Sequence, residues 1–455
     1  MSINQIIVFI MMAFMLIAAF DRILDQFGGA EEVLGKIGLK PVARLFAGSG
    51  SQFEEGFMAM GALALAMVGI MALAPVLKNG LEGIVTPIYT LLGASPAMFA
   101  GTILAIDMGG FPLAKSLSNG DNAAWMYSGV MLASMMGATV VFSIPVGLGI
   151  IRKEDQKFMA TGILAGMVAI PIGCIIGGLV AMGSGIEIDG QPVNFTIGML
   201  IQNMVPVFIV AALIVAGLKM IPNIMITGFQ IFAKFLVALI TVGLASAVLQ
   251  FATSAFPEAY QIVLIPGMDP IFNVGDGEMR AIEVIGSIAC ILLGAYPMVF
   301  LLTKWFQKPL MKFGTVLKMN ESAAAGMIAT LANNIPMFGM MEKMDDRGKV
   351  LNVAFAVCAA FALGDHLGFT AAVAPAMITP MIIGKVCGGI VAIFIAMLFA
   401  PKATVGVVAQ TAGTDTVAEV KADTEQAAQT VEKAAETVTE QAAEVQAAVE
   451  EKIES

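Results

Sequence analysis

Six side chains in this sequence sit where polar chemistry is expensive. Asp107 lies in LAIDMGGFP, Asn333 and Asn334 in LANNIPMFG, and Asp365 and His366 in FALGDHLGF. Glu283 falls one turn inside a run that opens at Ala281. A carboxylate at the centre of a membrane-crossing helix costs about 3 kcal/mol on insertion scales, so it calls for a partner or a task. These residue types suit recognition of a small cation or amine. Carboxylates accept from an ammonium group, amides both accept and donate, and an imidazole can relay a proton. Asp107 is the leading candidate for solute contact, Asp365 with His366 the next, and Glu283 the third. Structural roles compete with each of these. The asparagines can cap backbone freed at a helix break, an Asp-centred hydrogen bond can hold a helix crossing, and Glu283 can pair with Arg280. Glu54 and Glu55 read as solvated acids favoured at a helix start.

The elements that must position these residues are membrane spans. Of 455 residues, 58% are hydrophobic and 13% charged, against about 25% charged in a soluble domain. Apolar runs near the ~20 residues needed to cross a bilayer occupy 3–20, 57–77, 129–151, 158–182, 196–218, 229–249, 281–302, 350–372 and 376–400. The first run has no Lys or Arg ahead of it and no small-residue cleavage site before Asp21, so it is expected to stay as the first helix. The four cysteines lie within apolar runs without CxxC spacing and read as small buried hydrophobes. The fold expected is an all-α polytopic membrane protein of nine to eleven transmembrane helices.

Lys and Arg collect in 21–44, 152–157, 304–318 and 342–349, and are absent from 183–195 and 251–279. By the positive-inside rule the first set faces the cytoplasm, which places the N-terminus outside and the tail inside. Two segments, 83–117 and 322–344, then have to enter and leave on one side. Both are interrupted by Gly and Pro, at DMGGFP and NNIPMFG. Irregular backbone at that depth is tolerated where protein or a water-filled cavity satisfies it. If both segments crossed fully, the count would be eleven.

The chain also repeats itself. Leu104–Phe111 aligns with Leu331–Phe338 at an offset of 227, which pairs Asp107 with Asn334, and Gly137 and Phe142 with Gly364 and Phe369. IGCIIGGLVAM (172–182) aligns with IGKVCGGIVAI (383–393), including the GxxxG pairs Gly173/Gly177 and Gly384/Gly388. This reads as two inverted repeats, 1–182 and 226–401, joined by a connecting span at 183–225, with the solute bound where the broken helices meet. Residues 402–455 form an acidic tail with eleven acids against four lysines. It is expected to be a solvated, partly helical extension, with a partner-binding coiled coil as the alternative. Its partner stays open, as does a homo-oligomeric state.

No Walker loop, GxSxG elbow, HExxH motif or histidine cluster is present, and no basic stripe suggests nucleic acid. No cofactor or enzyme activity is expected. The pattern points to passive or ion-coupled transport of a small polar or cationic solute.

Four stretches, GSGSQFEEGFMAMGALALAMVG (48–69), MRAIEVIGSIACILLGAYPMV (279–299), AAAGMIATLANNIPMFGMM (323–341) and FALGDHLGF (361–369), resemble the bacterial ethanolamine-utilisation permease family. The likeness covers roughly residues 1–400. It implies import of ethanolamine across the bacterial inner membrane for cytoplasmic breakdown. It supplies no binding residues, and the tail departs from it. A proton- or sodium-coupled symporter, with Asp365 and His366 holding the ion, is the competing reading.

Overall fold

Lipid offers no hydrogen-bond partners, so an apolar chain crossing it satisfies its backbone within helices. The computed structural model of the chain follows this rule. It describes residues 2–402 apart from 189, 276 and 278, with backbone only at 307–313 and 315. The acidic tail from 403 onward, with its coiled-coil alternative, lies outside the described residues. In chain order the helices are α1 (Ile3–Asp25), α2 (Ser49–Leu91), α3 (Ala97–Ile103), α4 (Phe111–Leu117) and α5 (Asn122–Ile150). There follow α6 (Gln156–Gly183), α7 (Ile197–Met220), α8 (Pro222–Thr253), α9 (Ala281–Leu317), α10 (Glu321–Ala332) and α11 (Asn334–Gly339). The last three are α12 (Asp346–Ala359), α13 (Asp365–Val373) and α14 (Ile378–Met397). Short turns at Ala30–Gly35 and Lys40–Phe46 and a two-residue hairpin, Glu187–Ile188 with Gln191–Pro192, complete the regular structure.

Eight helices among the described residues are long and apolar enough to cross a membrane, so the chain is an all-α polytopic membrane protein. The expected ninth, at 350–372, is divided. Its backbone leaves the helix between α12 and α13, where Phe361 takes a φ of 64°. The Phe361 and Leu363 N–H groups donate instead to the carbonyls of Thr330 and Leu331, at 3.0 and 2.8 Å. Those bonds replace the ones the helix gives up. Helix α5 stays continuous but widens, with i→i+5 bonding over Tyr127–Gly137 and Thr139–Ser143. Helix α2 also outruns its apolar stretch. At 43 residues it is about 64 Å long, roughly twice the hydrocarbon thickness.

Both interrupted segments turn back on themselves. Helix α3 runs down α5, with Ser128 Oγ donating to the Ala97 carbonyl and Gly137 pressed on the Leu104 carbonyl. Helix α4 then returns, with Phe111 and Ala114 against Gly129 and the Phe111 ring 4.9 Å from that of Trp125. In the second half, α10 runs along α12 from Ala323, beside Gly348, to Ala332, beside Gly364. The chain returns through α11 to Lys343, whose carbonyl accepts from Asn320 Nδ2. Each is a helical hairpin with its tip at the break.

The helices sort into two groups. Helices α1, α2, α8 and α9 pack together, α5, α6, α12 and α14 form a second group, and the two hairpins touch both, with α13 packed chiefly against α9. In the second group α6 and α14 cross along matched glycines. Gly173 meets Gly384 and Gly388, while Gly177 meets Pro380 and Gly384. Moving forward along α6 thus moves backward along α14, and the two helices run antiparallel where they touch. The absent side chains let the backbones approach closely.

Candidate functional site

The break before Asp107 is built by backbone. Leu104 and Ala105 are extended (ψ 137° and 155°), and Gly109 takes a φ of 93°. No larger residue fits at Gly109, because a Cβ there would overlap the Ile70 side chain on α2. The Met108 and Gly110 N–H groups both fold back onto the Ala105 carbonyl. This places Asp107 at the hairpin tip, with its carboxylate partly exposed and Oδ1 4.0 Å from His366 Nε2. His366 is fully buried. Its ring packs 4.9 Å from Phe361, and its Nδ1 has no hydrogen-bond partner among the described residues.

Asp365 opens α13 directly after the second break. Its Oδ1 accepts from the Tyr296 hydroxyl at 2.6 Å. Tyr296 stands on α9, the helix against which α13 chiefly packs. Asp107 and Asp365 lie within electrostatic reach of each other, and Phe111 beside Asp107 packs edge-on against Phe369 at 5.5 Å. The first hairpin tip and the second broken span therefore come together, with an aromatic contact between them.

The asparagines occupy the matching tip but make other contacts. Asn333 is extended and caps α11, its Oδ1 accepting from the Ile335 N–H at 2.9 Å. Asn334 Nδ2 donates to Ser143 Oγ on α5 at 2.7 Å, and its buried Oδ1 has no partner among the described residues. The two halves thus exchange contacts. Asp107 of the first tip faces His366 of the second broken span, and Asn334 of the second tip bonds to α5 of the first half. Glu283 stands apart. Its carboxylate accepts from the N–H groups of Asn273 and Arg280, both at 3.0 Å. It precedes Tyr296 by thirteen residues on α9, about 20 Å along the axis.

Sequence reasoning missed three contributors. Tyr296 and Ser143 carry no signal, being unremarkable residues in helices. Lys385 did carry one, since a lysine in the middle of the apolar run 376–400 is as conspicuous as Asp107. It is fully buried on α14, and its ammonium donates to the Ser134 carbonyl on α5. Asp107 and His366 are among its charged or titratable neighbours. No group of three or more metal-ligating side chains occurs among the described residues. What the arrangement can do is hold a small cation between carboxylates at two hairpin-associated breaks, with a hydroxyl, an imidazole and an amide at hand.

Residues 3–399 match the family described as ethanolamine utilisation protein EutH. A protein of Escherichia coli K12 named a probable ethanolamine permease, EutH, is 65% identical over 406 residues, covering 88% of this chain and 97% of that protein. One of the same name from Listeria monocytogenes is 52% identical over 402 residues, covering 88% and 95%. An uncharacterised Bacillus subtilis protein, YxeR, is 43% identical over 392 residues, covering 86% and 94%. No solved structure matches the chain. The chain belongs to the EutH family of ethanolamine-utilisation proteins.

Proposed function

We propose that this chain is a permease that imports ethanolamine across the bacterial inner membrane to supply its breakdown in the cytoplasm. The observation that carries this reading is Asp107 at the first break standing against His366 at the second, where the adjoining Asp365 accepts from Tyr296. Ethanolamine is a primary amine, protonated near neutral pH as a lysine side chain is. Its ammonium needs acceptors and its hydroxyl needs one partner, and the carboxylates with Tyr296 and His366 supply both. The charged form crosses lipid poorly, so the carrier matters most when external pH or substrate is low. The relatives named as ethanolamine permeases support the substrate.

The test is uptake of labelled ethanolamine by the purified protein in liposomes at acidic pH. Asp107→Asn is expected to cut uptake about tenfold or more, as loss of a charged hydrogen-bond acceptor does. Unchanged uptake would remove Asp107 from the site. Coupling to a proton or sodium gradient is the second reading, favoured by Asp365 as a second carboxylate. Accumulation that follows an imposed ion gradient distinguishes it from facilitated diffusion.

The same proposal places the N-terminus outside and the tail in the cytoplasm, as the Lys and Arg distribution supports. It relates 1–182 and 226–401 as inverted repeats about the α6–α14 crossing. The antiparallel glycine contact there and the exchanged contacts of the two tips support that relation.

A further inference from the structure

Lys385 is the most anomalous charge in the molecule. It is fully buried in a transmembrane helix, and its Nζ, with three donors, has the Ser134 carbonyl as its hydrogen-bond acceptor among the described residues. The aligned position in the first half is Cys174, a small neutral residue that is also fully buried. The fold therefore accommodates an uncharged side chain at the equivalent place, and packing alone does not call for an ammonium. The bond to Ser134 sets the Lys385 ammonium one residue along α5 from Ala133, which touches Gly110 at the first hairpin tip. Cys358 lies against Gly388 on the lysine's own helix, and Gly173, next to Cys174, lies against Gly384 there. Asp107 and His366 are its other titratable neighbours.

We infer that Lys385 is a selectivity charge, a buried amine that carries its proton at mildly acidic pH and, beside the Asp107–Asp365 site, admits one ammonium group and turns away a second. The inference rests on the permease reading and sharpens its substrate class to small amines with one positive charge and a neutral polar end. A fixed ammonium in a low-dielectric surround repels a mobile one strongly, because Coulomb energy grows as the dielectric falls. Ethanolamine places a hydroxyl where a diamine of the same length places a second ammonium. The two carboxylates alone would welcome the diamine. Lys385 offsets that attraction, so the site distinguishes two ligands of nearly equal size by charge count. Specificity of this kind is obtained by building repulsion against the wrong ligand.

The probe is ethylenediamine, which at mildly acidic pH carries an ammonium at each end. Labelled ethanolamine uptake into liposomes is measured for the wild-type protein with and without excess ethylenediamine, and ethylenediamine uptake is measured directly. Wild type is expected to take up ethanolamine, with ethylenediamine competing at least about tenfold more weakly than unlabelled ethanolamine. Lys385→Met and Lys385→Cys, the latter copying position 174, are expected to accept ethylenediamine. Lys385→Arg is expected to keep the exclusion. Equal competition by both amines in wild type overturns the inference even if no variant folds. So does a neutral variant that transports ethanolamine and still rejects the diamine. If wild type takes up no ethanolamine, the permease reading fails first and the inference falls with it.

Discussion

Tyr296 on α9 reaches Asp365 at the start of α13, and its hydroxyl is a donor at 2.6 Å to a carboxylate. Hydrogen bonds to charged groups contribute about 1.5–3 kcal/mol. Tyr296→Phe keeps the ring and removes the donor, so ethanolamine uptake is expected to fall by about tenfold while the protein still folds. Uptake kinetics and thermal unfolding in detergent check the two halves of that expectation. Asp107, Asp365 and His366 were legible in the sequence for one reason: ionisable groups inside apolar runs are costly, and so stand out. Asn334 was legible by its alignment with Asp107, though its amide bonds to Ser143 in place of an acid. Glu283 shared the signal of a charge in a run but lies a turn from the helix start, where backbone N–H groups use it. Sequence position alone did not separate an acid that caps its own helix from one that meets a distant segment.

At the level of elements, the two hairpin tips depend on glycines that let backbones touch. Gly137 lies against the Leu104 carbonyl, and Gly364 against the Ala332 carbonyl. The two pairs correspond within one residue at the offset of 227 that aligns the halves. A methyl at either glycine would overlap a carbonyl oxygen that has nowhere to go. Gly137→Ala and Gly364→Ala are each expected to cost about 1–3 kcal/mol, in the range of overpacking, read as a lower unfolding temperature in detergent. Gly61 and Gly286, with open space around their Cβ positions, serve as tolerant controls. The apolar runs located eight continuous spans, and Gly with Pro located both hairpins. The break at 360–364 was hidden because its cause is tertiary: bonds to Thr330 and Leu331 replace the helical ones. The widened turns of α5 were hidden too, since hydrophobicity does not distinguish i→i+4 from i→i+5 bonding.

Over the whole molecule, the two halves are also tied at the face assigned to the cytoplasm. Lys349 on α12 and Asp155, just before α6, form a buried pair at 2.6 Å, and Arg152 reaches Glu342 at 2.9 Å. Breaking a buried pair by removing one partner strands the other and costs about 3–5 kcal/mol. Asp155→Asn is expected to destabilise the protein by that order, and the double variant Asp155→Asn/Lys349→Met to recover much of the loss. Unfolding of the single and double variants measures the difference. The positive-inside pattern marked both loops as one face, but not that an acid in one would meet a lysine in the other. That pairing spans 194 positions and exists only once the halves assemble.

The chain holds a single histidine, and it stands against the Asp107 carboxylate with one ring nitrogen unpartnered among the described residues. That makes the site its own reporter. Isotopic labelling of histidine gives a spectrum whose imidazole signals all come from position 366, with no assignment to perform. Ethanolamine added to the labelled protein should move that signal, and an inert amine should leave it still, provided purification uses a tag without histidine. Occupancy could then be followed in detergent or bilayer, separately from transport.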